Sequence, residues 1–218
     1  MISATGGPPD AAAARPGLKP AERRALAQIR ADLGRGARHD DESIVHDEWI
    51  RQRYDSGAFA SYAPARTAAV QTAWHEAGHA VAALAVGAEF SSASIRLAAS
   101  RDGRATHGRV HGIAAGADLA FVIDAAGQIA ERLRGWTLPD TDQELRDWLP
   151  TWRSDGGDAR RFRRSIGERF GRDEVAAWRY SEGLLTPRRR QIQRVARALL
   201  VHPRHLPYAV VAAIADDG

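Results

Sequence analysis

Thr72-Ala73-Trp74-His75-Glu76-Ala77-Gly78-His79-Ala80-Val81-Ala82-Ala83-Leu84 is the stretch on which the reading of this chain turns. It sits in an Ala-rich run from Arg66 to Val86 that contains no proline, a composition that favours helix. Helical residues four apart share a face, so the imidazoles of His75 and His79 can reach one ion. Glu76 follows the first imidazole by one position, which aims its carboxylate at a water in an open coordination site rather than at the metal. H-E-x-x-H on a helix is thus the pattern of a zinc hydrolase: zinc acidifies the water and polarises a scissile carbonyl, while Glu76 takes the proton and passes it to the leaving amine. The competing reading is a buried helix whose histidines are spaced by coincidence. It leaves two imidazoles and a carboxylate on the stripe of Ala82, Ala83 and Val86 without partners, which is costly.

Zinc requires a third protein ligand. The metzincin continuation would put Gly and His at the third and sixth positions beyond the motif, where Ala82 and Ala85 stand, and is excluded. Glu89 would have to fold back past the helix end. Asp158 is better placed, because it heads an i, i+4 stripe with Phe162, Ile166 and Phe170 while Arg160, Arg161, Arg163 and Arg164 fall to either side. A carboxylate heading an apolar stripe points inward, where it needs a cation or strong donors.

Around these residues the chain resembles the peptidase domain of the FtsH-type ATP-dependent zinc metalloprotease family. TAWHEAGHAVAAL (72–84) is similar to its zinc-binding helix, in which an aromatic residue, here Trp74, precedes the motif. IDAAGQIAERLRG (123–135) is similar to its Gly-Arg-Ala-Ala-Glu-Glu segment, and GGDARRFRRSIGERFG (156–171) to the Asn-Asp segment that supplies its third ligand. RRQIQRVARALLVHPRHLPYAVVAAIA (189–215) follows its final pair of helices, so the likeness spans about Ala65 to Ala215. It implies Zn2+ held by His75, His79 and Asp158, and a protein or peptide substrate. Gly157 stands where Asn is usual, and Arg132 replaces the second Glu, leaving Glu131. Glu131 is either a hydrogen-bond partner of a ligating imidazole or a solvated surface carboxylate. The family's membrane anchor and ATPase module have no counterpart in this sequence. The resemblance therefore implies peptidase chemistry on unfolded or flexible segments without ATP-driven unfolding, and leaves a separate ATPase or a homo-oligomer as candidate partners.

With 218 residues, one domain plus an extension is expected. Residues 1–64 read as that extension: an Ala-, Gly- and Pro-rich start expected to be disordered, then a short helix from Pro20 to Leu33 carrying Leu26, Ile29 and Leu33. Its Asp40-Asp41-Glu42 run reads as solvated, and the adjacent His46, Asp47 and Glu48 point in different directions on any regular element. Residues 65–218 read as the FtsH-like metallopeptidase domain, mainly α with a small β-sheet. Helices are expected at Ala117–Arg134, Asp158–Phe170, Pro187–Leu200 and Tyr208–Ala215, and strands at Ser94–Leu97 and Gly108–Gly112. The first strand is the expected place for an extended substrate to pair.

Composition narrows the alternatives. There is no cysteine, so any metal must sit on histidines and carboxylates. Lys19, the only lysine, is followed by Pro20, and no P-loop is present. No apolar run reaches membrane-spanning length, and the N-terminal residues carry neither a basic nor an apolar targeting segment, so the cytoplasm is expected. His107 and His111 line one face of the second strand but add little as a second metal site, and His202 and His205 lie in a Pro-bounded surface connection. The arginine-rich faces at 160–164 and 188–197 invite a nucleic-acid reading, yet interleaved aromatics are absent and the net charge is only +4, which favours solvated faces. A catalytically silent regulatory or scaffold protein is the other alternative. The intact His75, Glu76, His79 and Asp158 argue against it.

Overall fold

The Ala-rich run folds into the helix against which the rest of the chain is laid. The computed structural model describes residues 17–36, 62–97, 106–114, 116–135, 139–152 and 157–217. Helix α1 spans Pro20–Gly36 and α2, the Ala-rich helix, Tyr62–Ala85. Strands β1 (Ser92–Leu97) and β2 (Thr106–His111) follow, then α3 (Ala120–Arg134), α4 (Asp142–Trp148) and α5 (Asp158–Ser165). Helices α6 (Glu174–Leu185) and α7 (Arg189–Val201), a short strand β3 (Leu206–Pro207) and α8 (Tyr208–Asp216) complete the chain. The expected mainly α fold with a small sheet is what forms.

Ala69, Val70, Ala73, Trp74, Ala77 and Ala80 are all at most 1% exposed, so α2 is buried on most sides, as an interior helix is. It packs on α3 and α7, with the sheet laid across it. Gly78 sets how closely α2 meets α3. A Cβ built there falls onto the Ala126 carbonyl oxygen and within 2.6 Å of Ala130 Cβ. The helix ends where Gly87, at φ 71°, takes the left-handed conformation, and the Gly87 and Ala88 N–H groups close onto the Leu84 and Ala83 carbonyls in a Schellman arrangement.

Helix α1 belongs to the same core, with Leu26 and Ile29 buried where it meets α7 and α8. The rest of residues 1–64, including the Asp40–Glu42 run and His46–Glu48, lies mostly outside the described residues. The helix expected over Asp158–Phe170 stops at Ser165, because Gly167 turns left-handed at φ 57°, and Phe170 arrives on a separate 3-10 turn. It still packs edge-to-face on Phe121, with centroids 5.3 Å apart. Helices α4 and α6 escape a hydrophobic-periodicity reading for a physical reason. Helix α4 buries only Leu145 and is fixed by a Thr141–Glu144 capping box, while the buried face of α6 mixes Val175, Trp178 and Leu185 with the small Ala177 and the polar Ser181.

The sheet is antiparallel in the order β2-β1-β3. This bears on the expectation that an extended substrate pairs with β1, because that strand lies between two others. Ser92 to Leu97 pair with β2, the opposite edge pairs with β3 at Ser92 and Ala93, and the Ile95 N–H donates to the Pro203 carbonyl at 2.7 Å. Among the described strands, the long open edge is that of β2.

The close α2–α3 contact makes a direct claim on stability. Gly78→Ala is expected to destabilise the fold by about 1–3 kcal/mol through overpacking, read as a lower thermal midpoint. Gly34→Ala, where a new methyl meets nothing within 4 Å, should be neutral or slightly stabilising.

Candidate metal centre and active site

Successive turns of α2 present His75 and His79 to the first residue of α5. His75 Nε2 lies 3.0 Å from His79 Nε2 and 3.2 Å from Asp158 Oδ2, and His79 Nε2 lies 3.7 Å from the same oxygen. Among the described residues, these three form the one cluster of His and carboxylate groups placed to hold a metal ion. Asp158 is 4% exposed, so the inward direction expected from the Phe162 and Ile166 stripe is the one it takes.

The far nitrogens settle which way the imidazoles face. His79 Nδ1 donates to the Ile123 carbonyl oxygen at 2.6 Å, and His75 Nδ1 donates to Glu131 Oε1 at 2.8 Å. In the neutral rings both Nε2 atoms therefore carry bare lone pairs. Two such lone pairs and a carboxylate oxygen converge on one point, and they repel unless a positive charge stands between them. Without a metal, that charge is a proton on His75. Burial opposes it, but the carboxylates of Asp158 and Glu131 outweigh burial and push the His75 pKa up to about 10. Burial likewise disfavours the charged form of Asp158, and its bonds to His75 and His79 overcome this and hold its carboxyl well below the usual range. Tetrahedral zinc bonds of about 2.0–2.1 Å set neighbouring ligand atoms about 3.3 Å apart. The observed triangle has that size, so the donor set fits the ion.

Glu131 resolves in favour of the hydrogen-bonding alternative. It is 9% exposed, and Gln71 Nε2 donates to its second oxygen at 2.9 Å. Glu89 is exposed, and its backbone forms a lone bridge with Ala114, away from the cluster. His107 is exposed on the face of β2 opposite Gly108 and Val110, and His111 on that face pairs with Ser94 Oγ at 3.1 Å. His202 reaches Asp32 on α1 at 3.2 Å, and His205 is exposed. None of these joins the centre.

Glu76 is buried under β2, where the Val110 backbone N–H donates to it. Burial raises its pKa, while the imidazoles of His79 and His75 pull the other way. The room it occupies depends on a residue the sequence reading passed over. A Cβ on Gly108 would overlap the Glu76 carboxylate, and a Cβ on Gly127 of α3 would overlap the His75 ring. A glycine inside a strand or a helix is the signal that was available for both. Also unforeseen is the link between Asp124 and Asp158 through Arg161. Beside it opens a cavity of about 600 Å³, lined in part by Ile166 and Gly167, to which Arg161, Arg164 and Arg169 and the carboxylates of Asp118 and Asp124 contribute charge of both signs.

If the cluster is a metal site, Asp158→Ala should abolish tight zinc binding, Glu131→Ala should weaken it by about 10–100-fold, and Glu89→Ala should change nothing, as read by stoichiometry after dialysis against a mild chelator. A pH dependence follows from His75. Its second proton, retained up to about pH 10 in the metal-free protein, must leave when a cation enters, so apparent affinity should rise about tenfold per pH unit below that value. Calorimetry in buffers of different ionisation enthalpy measures the released proton, and metal uptake without proton release at pH 7 would contradict this protonation state. Compared with protein-family models, curated proteins and solved structures, the chain matches none.

Proposed function

We propose that the chain is a zinc-dependent metalloendopeptidase that cleaves peptide bonds in unfolded or flexible protein segments, as its resemblance to FtsH-type peptidase domains suggests. The observation that carries this reading is the meeting of His75 Nε2, His79 Nε2 and Asp158 Oδ2 within 3.7 Å of one another, with Glu76 buried beside them. Zinc held there would supply Lewis acidity to a water and to the scissile carbonyl. The remaining work falls to the chain. Glu76 takes the proton from the attacking water and returns it to the departing amine, and burial, which raises its pKa, makes it a better proton acceptor than an exposed carboxylate. Glu131 and Ile123 fix the two imidazoles by their Nδ1 atoms, so that Nε2 of each faces the reaction centre.

The open edge of β2 runs past Glu76, and an extended peptide adding there as a further strand would lie against the centre. The cavity beside Arg161 offers room for a substrate side chain. Only an extended segment can pair with a strand edge, which is why unfolded substrates are the proposed class. Folded substrates would need a separate unfolding ATPase, since the sequence has no P-loop lysine.

The nucleic-acid alternative loses support from where the arginines go. Arg163 donates to the Trp152 and Leu149 carbonyls, Arg189 to the Leu133 carbonyl, and Arg194 to the Ile214 and Ala215 carbonyls, so much of the basic surface closes helix ends.

Digestion of an unstructured protein such as casein tests the proposal. The wild type should release fragments, a chelator should stop it, and added ATP should leave the rate unchanged. Glu76→Gln should keep its zinc and slow by about 10²–10⁴-fold. A Glu76→Gln variant with near wild-type activity would overturn the assigned base, and chelator-resistant cleavage would overturn the metal.

A further inference from the structure

Asp158 has two carboxylate oxygens, and they face different ways. Oδ2 turns to the imidazoles, at 3.2 Å from His75 Nε2 and 3.7 Å from His79 Nε2, while Oδ1 accepts from Arg161 Nη2. The same guanidinium donates through Nε to Asp124 Oδ1 at 3.0 Å, and Asp124 Oδ2 accepts from Ser165 Oγ at 2.9 Å. Asp124 is 9% exposed and belongs to α3, so its end of the chain of bonds is anchored in a buried helix, although the Arg161 side chain is 53% exposed.

We propose that Asp124 and Arg161 are a positioning pair that ties up one oxygen of Asp158, so that this residue ligates through Oδ2 alone. The proposal rests on the metal-centre reading above. A carboxylate with both oxygens available can occupy two coordination positions. A hydrolytic centre with three protein ligands needs one position kept for water, and a carboxylate limited to one oxygen preserves it. Arginine suits the task because its planar fork fixes two donors at once, and a point-charge lysine cannot span two carboxylates with the same geometry. The pair also explains why α5 is held to α3 at this position: Ile123 orients His79 by its carbonyl, and the next residue, Asp124, orients Asp158 through Arg161.

The test compares the full-length wild type with Arg161→Gln, Arg161→Lys, Asp124→Asn and the Arg161→Gln/Asp124→Asn double variant. Zinc affinity is measured by chelator competition, and coordination by the visible absorption of the Co2+-loaded protein. Arg161 is half in solvent, so its replacement leaves the core untouched, and far-UV circular dichroism checks the fold of each variant. Arg161→Gln should weaken zinc by about 10–100-fold and lower the Co2+ absorption as the freed oxygen raises the coordination number. Arg161→Lys should recover only part of either loss. Because the two residues act in series, the double variant should bind no more weakly than Arg161→Gln alone. Wild-type affinity and spectrum in Arg161→Gln, or losses that add in the double variant, would overturn the pair. A wild type that binds no zinc would instead overturn the metal centre itself, and the two failures are told apart by that first measurement.

Discussion

Three electron-pair donors pointing at one another across 3.0–3.7 Å are the constraint on which the site depends. Such an arrangement is repulsive until a positive charge enters, and the surrounding residues maintain it rather than relieve it. Helix α3 does most of this work. Ile123 fixes His79, Glu131 fixes His75, Asp124 reaches Asp158 through Arg161, and Gly127 leaves the space that the His75 ring fills. The close packing of α3 on α2 at Gly78 also sets the geometry of the cluster, because a helix shifted outward would carry these partners away from the groups they hold.

The sheet serves the same centre from the other side. Gly108 gives the Glu76 side chain its volume, and the Val110 N–H gives it a donor, so β2 is both a wall of the site and the open edge of the sheet. A buried carboxylate next to imidazoles is held between two opposing influences: burial favours its protonated form, and the rings favour its ionised form. That balance is what the proposed role of Glu76 as a proton carrier would require.

Residues with strong local signals were legible from the sequence. The i, i+4 spacing of His75 and His79, and the stripe that turns Asp158 inward, follow from helix geometry alone. The mainly α character was legible for the same reason. Glu131 was ambiguous because a helical wheel cannot tell whether the margin of an apolar stripe meets solvent or a neighbouring helix, and only the packing of α2 on α3 decides it. The place of β1 in the middle of the sheet was hidden because its third neighbour is the two-residue strand Leu206–Pro207, far along the chain and too short to leave a pattern. Among the arginines that flank the Asp158 stripe, nothing in the spacing of Arg161 announces that it spans Asp124 and Asp158 on different helices. With a single lysine in the chain, arginine also does the ordinary work of closing helix C-termini, and its abundance is a weak guide to partners.

Anomalous diffraction at the zinc edge, on crystals of protein purified without chelator and soaked in zinc, tests the central claim most directly. The account requires one strong peak bonded to His75 Nε2, His79 Nε2 and Asp158 Oδ2 at about 2.0–2.2 Å, with Glu76 and Glu131 outside bonding distance. A peak bonded to Glu131 in place of Asp158, or no peak at this cluster, would contradict it.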